Sequence, residues 1–170
     1  MAHELFDAFT RAMQARSSAR SPSSVQSAMT RFGWSTRDVA RMFGVSDRTA
    51  RRWRQLNAIP ARRADEWRST VRSAAAARTR ARIEARGLSA LTVEGIYRIS
   101  RSRYKSGSWS PVRVMPGNRI RGAQMRDVFE AADRGDMDAA ESQLSEALAE
   151  AYGTSGIEWE SIDGLGFDIG

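Results

Sequence analysis

The chain has 170 residues, enough for one compact domain or two small ones, and it has no cysteine. That excludes a disulfide framework, a thiolate zinc site and a cysteine nucleophile. Its charges are segregated: residues 1–121 hold 25 basic and 8 acidic side chains, whereas residues 122–170 hold 2 basic and 12 acidic, so the first part suits a polyanionic partner and the second repels one.

The opening MAHELFDAFTRAM lacks the basic region and apolar run of an export signal. Leu5, Phe6, Phe9 and Met13 recur instead at helical spacing, which predicts an amphipathic helix over His3 to Arg16. Ser17 to Ser24 reads as a polar linker with a proline. Val25 to Phe32 predicts a short helix stopped by Gly33, with Val25, Ala28, Met29 and Phe32 on one face.

Thr36 to Gln55, TRDVARMFGVSDRTARRWRQ, is the most informative stretch and reads as a helix-turn-helix. Ala40 is small enough for a close crossing of two helices, and Gly44 supplies a left-handed turn. Val39, Phe43, Val45, Ala50 and Trp53 fall on inward faces. Ser46 is placed to cap the second helix, whose outward positions are Asp47, Arg48, Arg51, Arg52 and Gln55. Together with Thr36, Thr49 and Arg54, these side chains suit phosphates and base edges in a major groove. The plainer alternative is a three-helix packing unit with no part in DNA binding.

Asn57 to Pro60 breaks the pattern, and Pro60 opens a long helix to Arg86, closed by Gly87. On a helical projection Arg68, Arg72, Arg78, Arg82 and Arg86 share a stripe roughly 120° wide, with Trp67, Ala74, Ala77 and Ala81 on a thin apolar face. This is either a helix laid along a phosphate backbone or a solvated face on a connecting helix. From Leu91 the texture changes. LTVEGIYRIS and PVRVM read as strands around the turn-like KSGSWSP. Gly122 to Arg134 and Met137 to Tyr152 read as helices, and Gly156 to Ile169 alternates through Ile157, Trp159, Ile162, Leu165, Phe167 and Ile169. The expected class is α+β, divided into a helix-turn-helix domain over 1–59, an arginine-rich connecting helix over 60–87, and a small β-β-α-α-β unit over 88–170.

Of the 27 basic residues only Lys105 is lysine. Arginine forks match phosphate and guanine edges, although arginine- and alanine-rich composition also reports a GC-rich genome. Catalytic constellations are thin. His3 is the single histidine, so no Ser-His-Asp or histidine metal site assembles. Glu158, Glu160, Asp163 and Asp168 read as the solvent side of an edge strand rather than a metal site, and Asp136 and Asp138 as helix-start residues. No metal or cofactor is expected, nor a self-sufficient enzyme. Ser106, Ser108 and Ser110 lie among Arg101, Arg103, Lys105 and Arg113. A hydroxyl there can receive a phosphoryl or nucleotidyl group if a second protein supplies metal and geometry; otherwise the segment is a basic loop on DNA backbone, or a turn with no role.

The order of these parts resembles a known family. STRDVARMFGVSDRTARRW, then RTRARIEARG, a TVEG-type strand, the basic serine loop, VFEAADRGDMDAAESQLSEALAEAYG and IEWESIDGLGFDI together are similar to the telomere-protecting terminal proteins of linear actinobacterial chromosomes and plasmids. The resemblance covers nearly the whole chain and is sharpest in the helix-turn-helix. It implies binding to telomeric DNA, both duplex and single-stranded ends, with covalent linkage to the 5′ end. A partner DNA polymerase then joins the first nucleotide to a protein hydroxyl, and a telomere-associated protein takes part. The family's linking residue is a threonine after glycine in the loop following the first strand of the second half. Gly107-Ser108 matches it with serine in its place, so the resemblance implies Ser108 as acceptor, with Ser106 and Ser110 behind it.

Two other readings compete: a plasmid or phage transcriptional repressor whose C-terminal half forms a homodimer, and a partition or nucleoid-structuring protein with weak sequence preference. All three place the chain in the cytoplasm on DNA, with no membrane partner.

Overall fold

The computed structural model describes residues 3–19, 21–99, 112–113, 119–154 and 156–170. It divides into two compact units, Arg16–Arg78 and Met1–Ala15 with Thr79–Gly170. The class is α+β.

The Arg16–Arg78 unit is helical. It contains the end of α1 (Glu4–Ala19), then α2 (Val25–Phe32), α3 (Thr36–Phe43), α4 (Asp47–Leu56) and the first part of α5 (Ala64–Arg86), which a short 3-10 turn at Ala61–Arg63 precedes. Val25, Ala28, Met29, Val39, Ala40, Phe43, Ala50, Trp53, Trp67 and Val71 form its core, with Phe32, Trp34, Val45 and Ile59 packed against it. Two expectations are corrected here. Ser17–Ala19 continue α1 instead of opening a linker, and Ser17 is buried. Nothing in SSA forbids helix, and a polar composition does not by itself end one. The apolar face of α5 is also different: Trp67, Val71 and Ala75 are buried, Ala74 is half-buried, and Ala77 and Ala81 are exposed. The cause is that α5 serves two cores, Trp67 and Val71 in this one and Ile83 in the other, so a single projection over its 23 residues blends two faces.

In the other unit, β1 (Leu88–Ile99), β2 (Val112–Arg113) and β3 (Ile157–Ile169) form an antiparallel sheet in the order β2-β1-β3, with α6 (Gly122–Asp133) and α7 (Met137–Tyr152) between β2 and β3 in sequence. The expected β-β-α-α-β order holds. The register explains the spacing of apolar residues in β3. Val93 pairs with Leu165 and Leu91 with Phe167, but Glu160 and Asp163 are extra residues that oppose nothing on β1. Each bulge flips the alternation once. Ile157 and Trp159, then Ile162, then Leu165, Phe167 and Ile169 therefore keep one phase despite two three-residue steps, and all six pack on or belong to the core.

That core joins Leu5, Phe6 and Phe9 of α1 to Leu88, Leu91, Val93, Ile120, Met125, Val128, Leu144 and Leu148. The first turn of α1 is capped from a distance of 136 residues: Glu141 of α7 accepts hydrogen bonds from the backbone N–H of Leu5 (3.2 Å) and Phe6 (2.7 Å). Arg80 ties α5 to α6. It donates to both Asp133 carboxylate oxygens (2.8 and 2.6 Å) and to Glu84 (2.7 Å), and lies 4.6 Å from the centre of the Phe129 ring.

Candidate nucleic-acid interface

The interface is built by caps and by one aromatic cluster. Ser35 opens α3 with a reciprocal capping box: its hydroxyl accepts from the Asp38 N–H (3.1 Å), and the Asp38 carboxylate accepts from the Ser35 N–H (2.8 Å) and hydroxyl (2.6 Å). These bonds hold the Asp38 carboxyl below the usual carboxylate range. Gly44 closes α3 at φ +59°, and the next N–H, of Val45, reaches the Ala40 carbonyl at 2.9 Å. That six-to-one bond sets the exit of the turn. Ser46 then caps α4, accepting from the Thr49 N–H at 3.2 Å, with the two hydroxyls 2.9 Å apart.

Across the turn, Phe43 meets Trp53 edge-on (5.9 Å, 75°) and stacks on Trp67 (5.4 Å, 29°). Ala50 and Trp53 are the inward residues of α4. With 100° per residue, Arg48, Arg51, Arg52 and Gln55 fall within an arc opposite them, and all four are exposed. The far end of α4 is pinned by a contact that the sequence did not announce. Asn57 takes a left-handed φ of +50°, and its side-chain oxygen accepts from the Gln26 N–H (2.9 Å), while the Gln26 amide donates to the Arg54 carbonyl (3.0 Å). One side chain thereby satisfies an orphan donor at the start of α2 and links that helix to the end of α4.

The sequence-derived residues divide as follows. Arg48, Arg51, Arg52 and Gln55 form the outward face, and Arg54 is exposed on its flank. Ser46 and Thr49 are used as the cap, Asp47 is half-buried in the first turn, and Thr36 begins α3 half-exposed. On α5, Arg68 donates to Asp65 and to the Ala64 carbonyl, and Arg78 donates to the Arg31 carbonyl. Arg72 is exposed; Arg82 and Arg86 are exposed too but belong to the other compact unit. Ser106, Ser108 and Ser110 lie outside the described residues, as do Arg101, Arg103 and Lys105. Sequence reasoning passed over Arg37 and Arg41, exposed on α3; their four-residue spacing away from Val39, Ala40 and Phe43 was the available signal.

Two helices locked at a glycine turn, the second presenting four exposed polar side chains, three of them arginine, is the geometry that enters a major groove. Comparison with known families gives a match to a Homeodomain-like domain at residues 21–58. This segment is a DNA-binding domain. It runs from the residues before α2 to those just past α4 and thus contains both the Ser35 and Ser46 caps and the Gln26–Asn57 lock. No curated protein and no solved structure matches the chain. Among the described residues no helix is long and apolar enough to cross a membrane.

Proposed function

We propose that the protein is a telomere terminal protein: it holds duplex DNA at a replicon end through α4 and receives the first nucleotide of the new strand on a serine between β1 and β2. The observation that carries this reading is the joining of a homeodomain-like domain to a β-β-α-α-β unit whose first two strands flank a basic segment with five serines, Ser106, Ser108 and Ser110 among them. In the step itself the Ser108 hydroxyl oxygen bonds to the α-phosphorus of a deoxynucleoside triphosphate, and the bond from that phosphorus to the β-phosphate bridge breaks. Pyrophosphate leaves, and the hydroxyl proton passes to a base on the partner polymerase, which also supplies the metal ions. The chain is then an acceptor and a positioning surface rather than a catalyst. Its partners are that polymerase, a telomere-associated protein and single-stranded 3′ ends, and its place is the nucleoid.

The experiment is incubation of the protein with labelled dCTP and extract of its host. Label that survives denaturation, and is lost when Ser106, Ser108 and Ser110 are all changed to alanine, is the expected result. Absent or serine-independent label removes the priming role and leaves the DNA-binding one. The second reading is a repressor, favoured by the fact that the family match is confined to the DNA-binding segment. It requires a footprint on a palindromic operator with half-sites about one helical turn apart. A footprint confined to replicon ends counts against it.

A further inference from the structure

Among the described residues three large apolar side chains are exposed, Met42, Leu56 and Tyr152, and Leu56 is the most exposed at 62%. A leucine open to water is ordinary by itself; this one has a particular place. It is the last residue of α4, four after Arg52 and one after Gln55. At 100° per residue it stands about 40° from Arg52 around the helix, on the margin of the arginine face. Helical side chains lean toward the preceding turn, here the turn that bears Arg52. The last turn of a helix commonly frays, but this one is fastened. Directly after Leu56, Asn57 takes a left-handed backbone, and the Asn57 and Ala58 N–H groups donate to the Arg54 and Trp53 carbonyls (3.2 and 3.1 Å). Gln26 of α2 bonds both the Asn57 side chain and the Arg54 carbonyl. An apolar side chain is thereby held at the end of a face that is otherwise polar.

We propose that Leu56 reads thymine, packing on its C5-methyl group. The inference rests on α4 lying in the major groove and is independent of the priming role. Arg48 and Leu56 are about 12 Å apart along the helix axis, close to the groove's width of about 12 Å, so both ends of the face stay between the phosphate walls at any tilt of the helix. Leucine gains nothing from phosphates or from the hydrogen-bonding edges of bases. The apolar group that a major groove offers is the C5-methyl, which unmodified DNA carries only on thymine. A protein partner is disfavoured, because it would have to enter beside Arg52 and Gln55, where the duplex lies. The arginines then supply phosphate and guanine contacts, and Leu56 adds a thymine requirement at the end of the site that faces the close of α4.

The test is selection of a preferred site by the full chain from random duplexes, then replacement of each thymine of that site in turn by uracil, which lacks only the methyl group. One replacement weakens wild-type binding about fourfold, the value of one buried methyl group. Leu56→Ala keeps its circular dichroism and its affinity for random duplex, binds the selected site more weakly by at least that factor, and no longer distinguishes uracil at that position. Leu56→Met, which keeps an apolar reach, still distinguishes it. Should Leu56→Ala unfold, Leu56→Gln takes its place with the same expectation. A wild type that selects no thymine, or is indifferent to every uracil, overturns the proposal and leaves α4 in the groove. So does a folded Leu56→Ala variant that keeps the full uracil penalty. A wild type that binds no duplex overturns the groove reading and the thymine contact together.

Discussion

Gly44 and Gly87 share a left-handed backbone, with φ of +59° and +72°, yet alanine should cost very different amounts at the two positions. A left-handed conformation costs an ordinary residue about 1 kcal/mol relative to glycine. At Gly44 nothing lies within 4 Å of an added Cβ, so Gly44→Ala should cost about that and no more. At Gly87 the added Cβ would stand 2.1 Å from the Ile120 carbonyl oxygen and 2.9 Å from the Gly122 nitrogen. Both are backbone atoms, and that carbonyl also accepts the Leu88 N–H at 2.8 Å. Relief requires moving the segment that starts α6, with loss of that buried hydrogen bond. Overpacking and the lost bond add to the backbone term, and the sum is at least about 3 kcal/mol. Urea unfolding followed by far-UV circular dichroism measures both variants. Equal costs, or a Gly87→Ala variant as stable as Gly44→Ala, would refute the close approach of Gly87 to the Ile120–Gly122 segment.

Arg48→Ala and Arg51→Ala should each weaken binding to a preferred site by about 1–3 kcal/mol and change random-duplex affinity little, as measured by fluorescence anisotropy on selected and scrambled fragments. Arg41→Ala should instead weaken both alike and lower the slope of log affinity against log salt by about one. Trp53→Ala removes a buried ring packed edge-on to Phe43 and should destabilise the helix-turn-helix by about 3–5 kcal/mol in a urea melt. Arg80 holds the Asp133 carboxyl below its usual range, and the Ser35 cap does the same for Asp38. Each therefore adds stability above the ordinary carboxylate range and loses it as pH falls through the lowered value. Acid unfolding of Asp133→Asn should show less pH dependence in that window than wild type.

Local structure was legible because its signals are local. Ser46 and Gly44 announce their caps, and Val39, Phe43, Ala50 and Trp53 announce their faces. Even the β3 bulges are written in the three-residue steps from Trp159 to Ile162 and from Ile162 to Leu165. What the sequence concealed is pairing over distance. An amphipathic α1 says that Leu5, Phe6 and Phe9 are covered, but not that the core of α6, α7 and the sheet covers them, nor that Glu141 caps their helix. Gln26 and Asn57 look like ordinary surface residues until α2 and α4 meet. In α5 the arginine stripe and the Asp65–Arg68 pair, three residues apart on one helix, were readable, but the engagement of Arg78 with the Arg31 carbonyl was not, because it depends on which backbone arrives nearby.

If α4 enters a DNA duplex with its arginine face, Arg48, Arg51 and Arg52 should carry most of the affinity. Titrating the protein and an Arg48→Ala/Arg51→Ala/Arg52→Ala variant against a duplex that carries the preferred site, at low ionic strength, separates this case from its alternative. The wild type should bind, raising salt should release it steeply, and the variant should keep its circular dichroism but lose most of its affinity. A wild type that shifts no duplex, or a folded variant that binds as tightly as the wild type, would contradict it.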